Sequence, residues 1–200
     1  SPGDVALISA ADSELAALAR AHDGLNDGLG ADALSLRLAN QMQLQHNLSV
    51  DVYLEQTLAG AKLVVLRLLG GKAYWTYGVE ALIQASQQQG VQIALLPGDD
   101  KPDHELAELS TVSDIEYQKL WQFLIEGGTQ NARGFCEACS ALVGGTPFIS
   151  DALPLLKAGL LNDVRDRDTA KPTAAIIFYR ALVQSGQTAA IEAMCAALAE

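Results

Sequence analysis

The stretch that most constrains the fold runs over residues 63–100, LVVLRLLGGKAYWTYGVEALIQASQQQGVQIALLPGDD. Its first seven residues, LVVLRLL, form a short apolar run that is typical of a strand buried on both faces. A glycine- and aromatic-rich loop follows, and then a helical spacing of apolar residues that ends at Gly90, where a helix C-cap belongs. VQIALLP starts a second strand about thirty residues after the first, which is the length of a right-handed βαβ crossover. The stretch therefore predicts two parallel strands joined by a helix.

The same alternation of strands and helices is predicted towards the start of the chain. Strands are predicted to begin near residues 4, 34, 63 and 91. Asp12 is expected to cap the first helix and Ser49 the helix before residue 63. This near-even spacing predicts an α/β fold, namely a Rossmann-like parallel sheet built from successive βα units.

After residue 100 the predicted alternation of strands and helices gives way to successive helices. A short helix is expected over residues 103–109, a second opens with the capping box Ser113-Asp-Ile-Glu116, and a third runs from Thr129 to the glycine pair at 144–145. The predicted domains are a Rossmann-like domain over residues 1–145 with a helical insertion at 103–145, an irregular connector at 146–172, and the first strand and helix of a further, truncated α/β unit at 173–200. Because the last unit lacks a following strand, and because the chain begins with Ser1, we expect a fragment of a longer protein.

Composition narrows the classes of function. The chain has 13 basic and 24 acidic residues, a net charge of −11, so clustered positive charge for nucleic acid or an anionic membrane is not expected. No apolar run approaches the length of a membrane span. Three cysteines in 200 residues do not suggest a disulfide framework, which predicts a reducing, cytoplasmic location.

Local motifs predict no catalytic or metal-binding residues within the chain. Lys72 follows two glycines, but the spacing of a phosphate-binding loop is absent, so no ATP or NAD site is expected. Cys136 and Cys139 are three residues apart and share a helix face, which would suit a redox or metal pair. They lie mid-helix, however, and a zinc site would need two further ligands, so apolar packing is the favoured interpretation.

Geometry predicts a ligand-binding edge more strongly than any motif does. The carboxyl ends of parallel strands lie along one edge of a sheet, and ligands bind there at the switch in strand order. The candidate ligand-edge residues are Asp12, Asn40, Gly70, Gly71, Tyr74, Trp75, Asp99 and Asp100. The loop at residues 70–75 combines close backbone approach with an aromatic plane, which suits a large flat ligand. The competing interpretation is that Tyr74, Trp75 and Tyr77 fill the space between helix and sheet.

Three stretches of the chain resemble a known family. They are RLANQMQLQHNLSVDVYLEQTLAGAKLVVLRLLGGKAYWTYGVEAL, ALLPGDDKPDHELAELSTV and PTAAIIFYRALVQSGQTAAIEAMCAAL. Together with the flanking residues they are similar to the N-terminal part of the large subunit of cobaltochelatase (CobN type), a relative of the porphyrin-binding subunit of magnesium chelatase. The similarity covers essentially the whole chain, and residues 37–82 and 94–100 are its most specific parts.

The resemblance implies a function that the residues alone do not. It implies a much longer, ATP-dependent enzyme that inserts cobalt into the tetrapyrrole hydrogenobyrinic acid a,c-diamide during aerobic cobalamin biosynthesis. ATP and magnesium would be bound by partner subunits of the AAA+ type, and the large subunit would hold the tetrapyrrole and the cobalt. No metal-binding or catalytic residue carries over to this stretch, so the isolated chain is expected to be an inactive scaffold.

Three alternatives stay open from the sequence. The first is the large subunit of a magnesium chelatase. The second is a free-standing α/β binding module. The third is a redox protein that uses Cys136 and Cys139.

Overall fold

A four-stranded, all-parallel sheet lies at the centre of the computed structural model, which describes residues 2–27, 34–161 and 172–199. The strands are β1 (Val5–Ser9), β2 (Leu36–Asn40), β3 (Leu63–Leu68) and β4 (Gln92–Pro97). Their order across the sheet is β2-β1-β3-β4. The predicted α/β fold with a parallel sheet is confirmed.

Helices cover both faces of this sheet. Those found in the described residues are α1 (Asp12–Asn26), α2 (Asn47–Thr57), α3 (Thr76–Gln89), α4 (His104–Glu108), α5 (Asp114–Glu126), α6 (Gly128–Gly144), α7 (Ala181–Gln184) and α8 (Ala189–Ala199), with 3-10 turns at Gln41–Gln43 and Lys72–Trp75. None of the helices in these ranges is long and apolar enough to cross a membrane.

The two faces of the sheet carry separate apolar cores. Side chains of a strand alternate between faces, so Leu7 and Val65 contribute to the core beneath α1, α5 and α6. Ile8 and Leu66 contribute to the core beneath α2 and α3, where Leu106 of α4 is also buried. Burial on both faces explains why the strand sequences are continuously apolar instead of alternating. It also shows that α5 and α6 cover one face of the sheet.

Strand order changes direction between β1 and β3. β1 pairs with β2 on one side and with β3 on the other, and Ser9 at its carboxyl end stands opposite Asn40 and Arg67. The chain runs from β1 outwards to β2 and then crosses back over β1 to β3. Open α/β sheets bind ligands outside the carboxyl ends of the strands at such a switch point.

Several predicted helix ends are confirmed. Ser113 accepts a hydrogen bond from the backbone N–H of Glu116, and the Glu116 carboxylate accepts one from the backbone N–H of Ser113, which completes the capping box of α5. Gly90 and Gly145 lie in the left-handed conformation at the ends of α3 and α6.

Other predicted boundaries are wrong. β2 begins at Leu36, two residues later than expected. The helix expected to start at Ser49 is capped by His46 instead, whose backbone carbonyl accepts from the N–H of Ser49 and of Val50. Asp12 is the first residue of α1 and Ala11 is its N-cap.

The strand predicted over residues 174–179 is absent. Residues 172–179 are irregular, and none of them belongs to a ladder of the sheet that the structure describes. Ile and Phe favour strands only where a partner strand supplies hydrogen bonds and packing, and none is present there. The assignment of these residues to a further α/β unit stays a prediction.

Candidate functional site

A crevice of about 410 Å³ opens at the switch point, beside the carboxyl ends of β1 and β3. Ser9 and Arg67 lie at its inner end, and the first turns of α1 form one wall. The end of α5 and the start of α6 form the opposite wall, and residues of α7 close it on a third side. Its volume lies within the range of small-molecule sites, so the crevice is the candidate functional site.

Arg67 is the central charged group of this crevice. It forms an ion pair with Glu14, and the two side chains are 13% and 12% exposed. Its guanidinium also donates to the carbonyl oxygens of Gly98 at 3.1 Å, Leu124 at 3.2 Å and Pro97 at 3.4 Å. One side chain therefore ties β3 to α1, to the end of β4 and to α5.

Ser9 extends the network to β1. Its hydroxyl donates to the Glu14 carboxylate at 2.8 Å and accepts from the backbone N–H of Ala11 at 3.2 Å.

Burial lowers the pKa of Arg67 to about 10, and the negative charge of Asp99 partly opposes this shift. Because a pKa of about 10 still lies well above neutrality, Arg67 stays charged and paired with Glu14 at pH 7.

The α7 segment closes the crevice from above. Gln184 donates from its amide to the carbonyl oxygen of Ile125 at 2.9 Å, and Arg20 donates to the carbonyl oxygen of Ser185 at 2.8 Å. Gly127 has a φ of 64°, and a Cβ atom there would lie 2.9 Å from the carbonyl oxygen of Gln184. Only glycine allows α7 to approach the start of α6 this closely.

Two of the predicted edge residues meet just outside the crevice. The side-chain amide of Asn40 donates to the Asp12 carboxylate at 2.6 Å, and its carbonyl oxygen accepts from the backbone N–H of Met42 at 2.8 Å. This pair joins the start of α1 to the end of β2. Neither Asp12 nor Asn40 lines the crevice, and ligand binding by them stays a prediction.

The aromatic loop divides into exposed and buried parts. Gly70 and Gly71 have φ values of 90° and 72°, and Tyr74 is 58% exposed beside them. Trp75 is buried against α3, and its indole N–H donates to the carbonyl oxygen of Leu44 at 3.0 Å. For Trp75 the structure supports the packing interpretation. Gly70, Gly71 and Tyr74 lie at the surface, and their role as ligand-edge residues stays a prediction.

Asp99 and Asp100 border a second hollow, of about 740 Å³, that also reaches Arg67. The Asp99 carboxylate accepts from the backbone N–H of Lys101 at 3.1 Å, and its carbonyl oxygen accepts from the indole N–H of Trp121 at 3.1 Å. These bonds hold the turn after β4 in place. Cation or ligand binding by this turn stays a prediction.

Cys136 and Cys139 are packing residues. Both are free thiols buried in the core beneath α1, α5 and α6, and the Cys136 thiol donates to the carbonyl oxygen of Leu18 at 3.9 Å. Burial raises the pKa of Cys136 to about 12 and that of Cys139 well above its ordinary value. Within residues 2–27, 34–161 and 172–199, no three His, Cys, Asp or Glu side chains come together as a group that could hold a metal ion.

Arg67 and Glu14 are the charged residues of the crevice, and the sequence did not predict either of them. Glu14 stands in the first turn of α1, where an acidic residue is common for reasons of helix electrostatics. Arg67 is the one charged residue in LVVLRLL, a strand that is apolar on both faces. A lone charge in such a strand needs a buried partner, and this was the signal that could have located the crevice.

The sheet order, the helices on both faces and the crevice at the switch point define an α/β domain of the doubly wound, flavodoxin-like class. No family model matches the chain. Aerobic cobaltochelatase subunit CobN from a Sinorhizobium species is 45% identical over 98% of the chain, and CobN from Pseudomonas aeruginosa PAO1 is 37% identical over 99% of it. The chain belongs to this CobN family and spans 16% of the length of both relatives.

A solved structure shares the fold. The catalytic subunit of cobaltochelatase from Mycobacterium tuberculosis superimposes with a TM-score of 0.71 at 28% identity, covering 98% of this chain and 15% of that one. The resemblance stated from the sequence is therefore confirmed, and a magnesium chelatase subunit or a free-standing module is not favoured.

Proposed function

We propose that the chain is a scaffolding segment of the large subunit of an ATP-dependent cobaltochelatase, which inserts Co²⁺ into hydrogenobyrinic acid a,c-diamide. The observation that carries the proposal is the 45% identity to a CobN subunit over 98% of the chain. ATP would be hydrolysed by separate AAA+ subunits, and cobalt and the tetrapyrrole would be substrates of the assembled enzyme.

The crevice supports the scaffolding role. Arg67 and Glu14 use their polar atoms on each other and on groups of the same domain, so they fasten strands and helices together instead of presenting a reactive group. A side chain held by several internal contacts is suited to fixing geometry. We therefore expect the chain alone to have neither chelatase nor ATPase activity.

Reconstitution tests this proposal directly. The full-length subunit, the same subunit lacking residues 1–145, and the 200-residue chain alone are each combined with the ATPase subunits, Co²⁺, ATP and hydrogenobyrinic acid a,c-diamide. Cobalt insertion is expected from the first only. Equal insertion without residues 1–145, or ATP hydrolysis by the chain alone, would contradict the proposal.

We infer a secondary role for the ligand edge, in which Tyr74 contacts the rim of the bound macrocycle. Its ring is 58% exposed at the carboxyl edge, beside two glycines that allow close approach. An aromatic contact contributes about 0.5–1.5 kcal/mol, so Tyr74→Ala in the full-length subunit should weaken tetrapyrrole binding by up to about tenfold. Tyr77→Ala is the matched control, because Tyr77 lies on α3 and donates to Asp51 at 2.7 Å. Equal effects of both changes would exclude a specific contact by Tyr74.

A further inference from the structure

The final described part of the chain, residues 172–199, exposes apolar side chains that its own domain does not cover. Ile177 is 94% exposed and Tyr179 is 87% exposed. Further along, Met194 and Leu198 of α8 are 46% and 61% exposed. Several large apolar side chains exposed in one segment are typical of a surface that binds another protein surface.

Residues 174–179 have the character of a strand without a partner. Ile176 and Phe178 are half-buried while Ile177 and Tyr179 are exposed, which is the alternation of a strand with one face on a core. Isoleucine, phenylalanine and tyrosine all favour strands. Yet no backbone hydrogen bond joins residues 173–178 to any other described residue.

Helix α8 is apolar on all sides. Its sequence is AAIEAMCAALA, in which Glu192 is the one charged residue. Only Ile191 among its described side chains is buried. A helix that is apolar all round is stable in water only when other elements surround it.

The domain's own sheet cannot accept these residues at its β4 edge. There the hydroxyl oxygens of Thr111 and Ser110 accept from the backbone N–H groups of Ile93 at 2.8 Å and Leu95 at 2.9 Å. The N–H of Thr111 also donates to the carbonyl oxygen of Ile93 at 2.8 Å. Side chains thus occupy the positions that a fifth strand would take.

The segment leaves the domain from a fixed point. Arg180 donates to the Glu126 carboxylate at 3.1 Å and to the carbonyl oxygens of Leu155 at 2.9 Å and Leu156 at 3.1 Å. Together with the bonds of Gln184, these contacts hold α7 on the crevice. Residues 174–179 and helix α8 therefore lie on either side of a segment, α7 with Arg180, that is fixed to the domain.

We propose that residues 174–179 join, as a strand, the edge of a β-sheet formed by another part of the same cobaltochelatase subunit, and that α8 packs against that sheet. This inference rests on the proposed function, since it requires the long subunit. The lengths of the relatives indicate where this partner would come from. The matched stretch makes up only 16% of their length, so most of such a subunit lies outside it. A partner in the same polypeptide is present at high effective concentration. It would therefore cover the apolar side chains of the segment before other proteins could bind them.

Amide hydrogen exchange tests the proposal without any assay of activity. Residues 175–179 and α8 are compared in the full-length subunit and in the 200-residue chain alone, at two protein concentrations. Exchange at residues 175–179 is expected to be at least about 100-fold slower in the full-length subunit. Equally fast exchange in both would overturn the proposal, and so would protection in the chain alone that grows with concentration, since that would indicate a second copy as partner.

A pair of variants locates the contact. Ile177→Lys in the full-length subunit should raise the exchange rates of its neighbours by at least about tenfold, because a charge would be buried in the new sheet. Ile115→Lys is the matched control, as Ile115 is 71% exposed at the start of α5, at the opposite end of that helix from Glu126, which Arg180 contacts. Unchanged exchange in Ile177→Lys would overturn the proposal. If the segment is protected but the full-length subunit inserts no cobalt, the proposed function is refuted and the structural contact is established. If cobalt is inserted but the segment is not protected, the contact is refuted and the proposed function stands.

Discussion

Arg67 and Glu14 form a nearly buried ion pair that joins β3 to α1 at the switch point of the sheet. Sequence patterns give no direct indication that these two side chains meet. The pair lies where four elements converge, and the geometry of the crevice depends on it.

The first prediction concerns this pair. Arg67→Met would leave the Glu14 carboxylate buried with only Ser9 as donor, and removing one partner of a buried pair costs about 3–5 kcal/mol of unfolding free energy. Urea unfolding of the chain measures this loss. Arg133→Met is the control, because Arg133 and Glu137 form an exposed pair on α6, worth about 0–1 kcal/mol. Equal losses in the two variants would show that burial does not strengthen the Arg67 contact.

The second prediction concerns the buried indole. Trp75→Ala should lower the unfolding free energy by about 3–5 kcal/mol, because it leaves a cavity and removes the donor to Leu44. Its exposed neighbour provides the comparison, since Tyr74→Ala should change stability by no more than about 0.5 kcal/mol. A stable Trp75→Ala variant would instead place the ring at the surface.

The third prediction uses two helical glycines with opposite surroundings. A Cβ at Gly134 would lie 2.5 Å from the ring of Phe123, whereas a Cβ at Gly24 would meet nothing within 4 Å. Gly134→Ala should therefore destabilise the chain by about 1–3 kcal/mol through overpacking. Gly24→Ala should stabilise it by about 0.5–1 kcal/mol, because alanine favours helix. Thermal unfolding would show shifts of opposite sign, and shifts of the same sign would contradict the packing of α5 on α6.

The fourth prediction is a dependence of stability on pH. Hydrogen bonds from Ser35 and the nearby Lys62 ammonium lower the pKa of Asp4 to about 2. Because the folded-state pKa lies below the unfolded value of about 3.9, Asp4 stabilises the fold above about pH 4. That contribution is lost as the pH falls towards about 2.

Unfolding measured between pH 5 and pH 2 tests this. The wild-type chain should lose more stability over this interval than Asp4→Asn, which cannot titrate. Ser35→Ala should raise the pKa of Asp4 and so flatten the curve partway. Parallel curves for all three proteins would exclude the assigned role of Asp4.

The fifth prediction concerns thiol reactivity. Cys136 and Cys139 are buried and have raised pKa values, so iodoacetamide at pH 8 should modify them at least about tenfold more slowly than Cys195, which is partly exposed. Mass spectrometry of digested protein gives the rates. Rapid modification of the buried pair, or a disulfide between them under mild oxidants, would restore the redox interpretation.

The sequence predicted the sheet because its cause is local. LVVLRLL and VQIALLP are continuously apolar, and each is followed by a helix signal at the correct spacing. The capping box at Ser113 and the terminal Gly90 involve residues close in sequence, so their patterns were sufficient. Such features need no knowledge of distant contacts.

The features that were missed depend on distant contacts. The crevice network joins Arg67 to a carboxylate on another element, and no periodicity encodes that pairing. The strand predicted at residues 174–179 failed for the same reason, since strand propensity is expressed only against a partner. The candidate edge residues do lie near the carboxyl edge, because their positions follow directly from the strand ends. Asn40 ends β2, Gly70 and Gly71 follow β3, and Asp99 and Asp100 follow β4.

The packing of α6 on α1 also determines when this domain can fold during synthesis. β1 and α1 leave the ribosome before α6, the helix that covers them together with α5 and that ends at Gly144. Until α6 emerges, the face of β1 that carries Val5 and Leu7 lacks the cover that α6 provides. Contacts between such distant parts of a chain form slowly and late. We therefore expect nascent chains in which α6 has not yet left the ribosome to expose this face to chaperones, and the domain to close when α6 emerges.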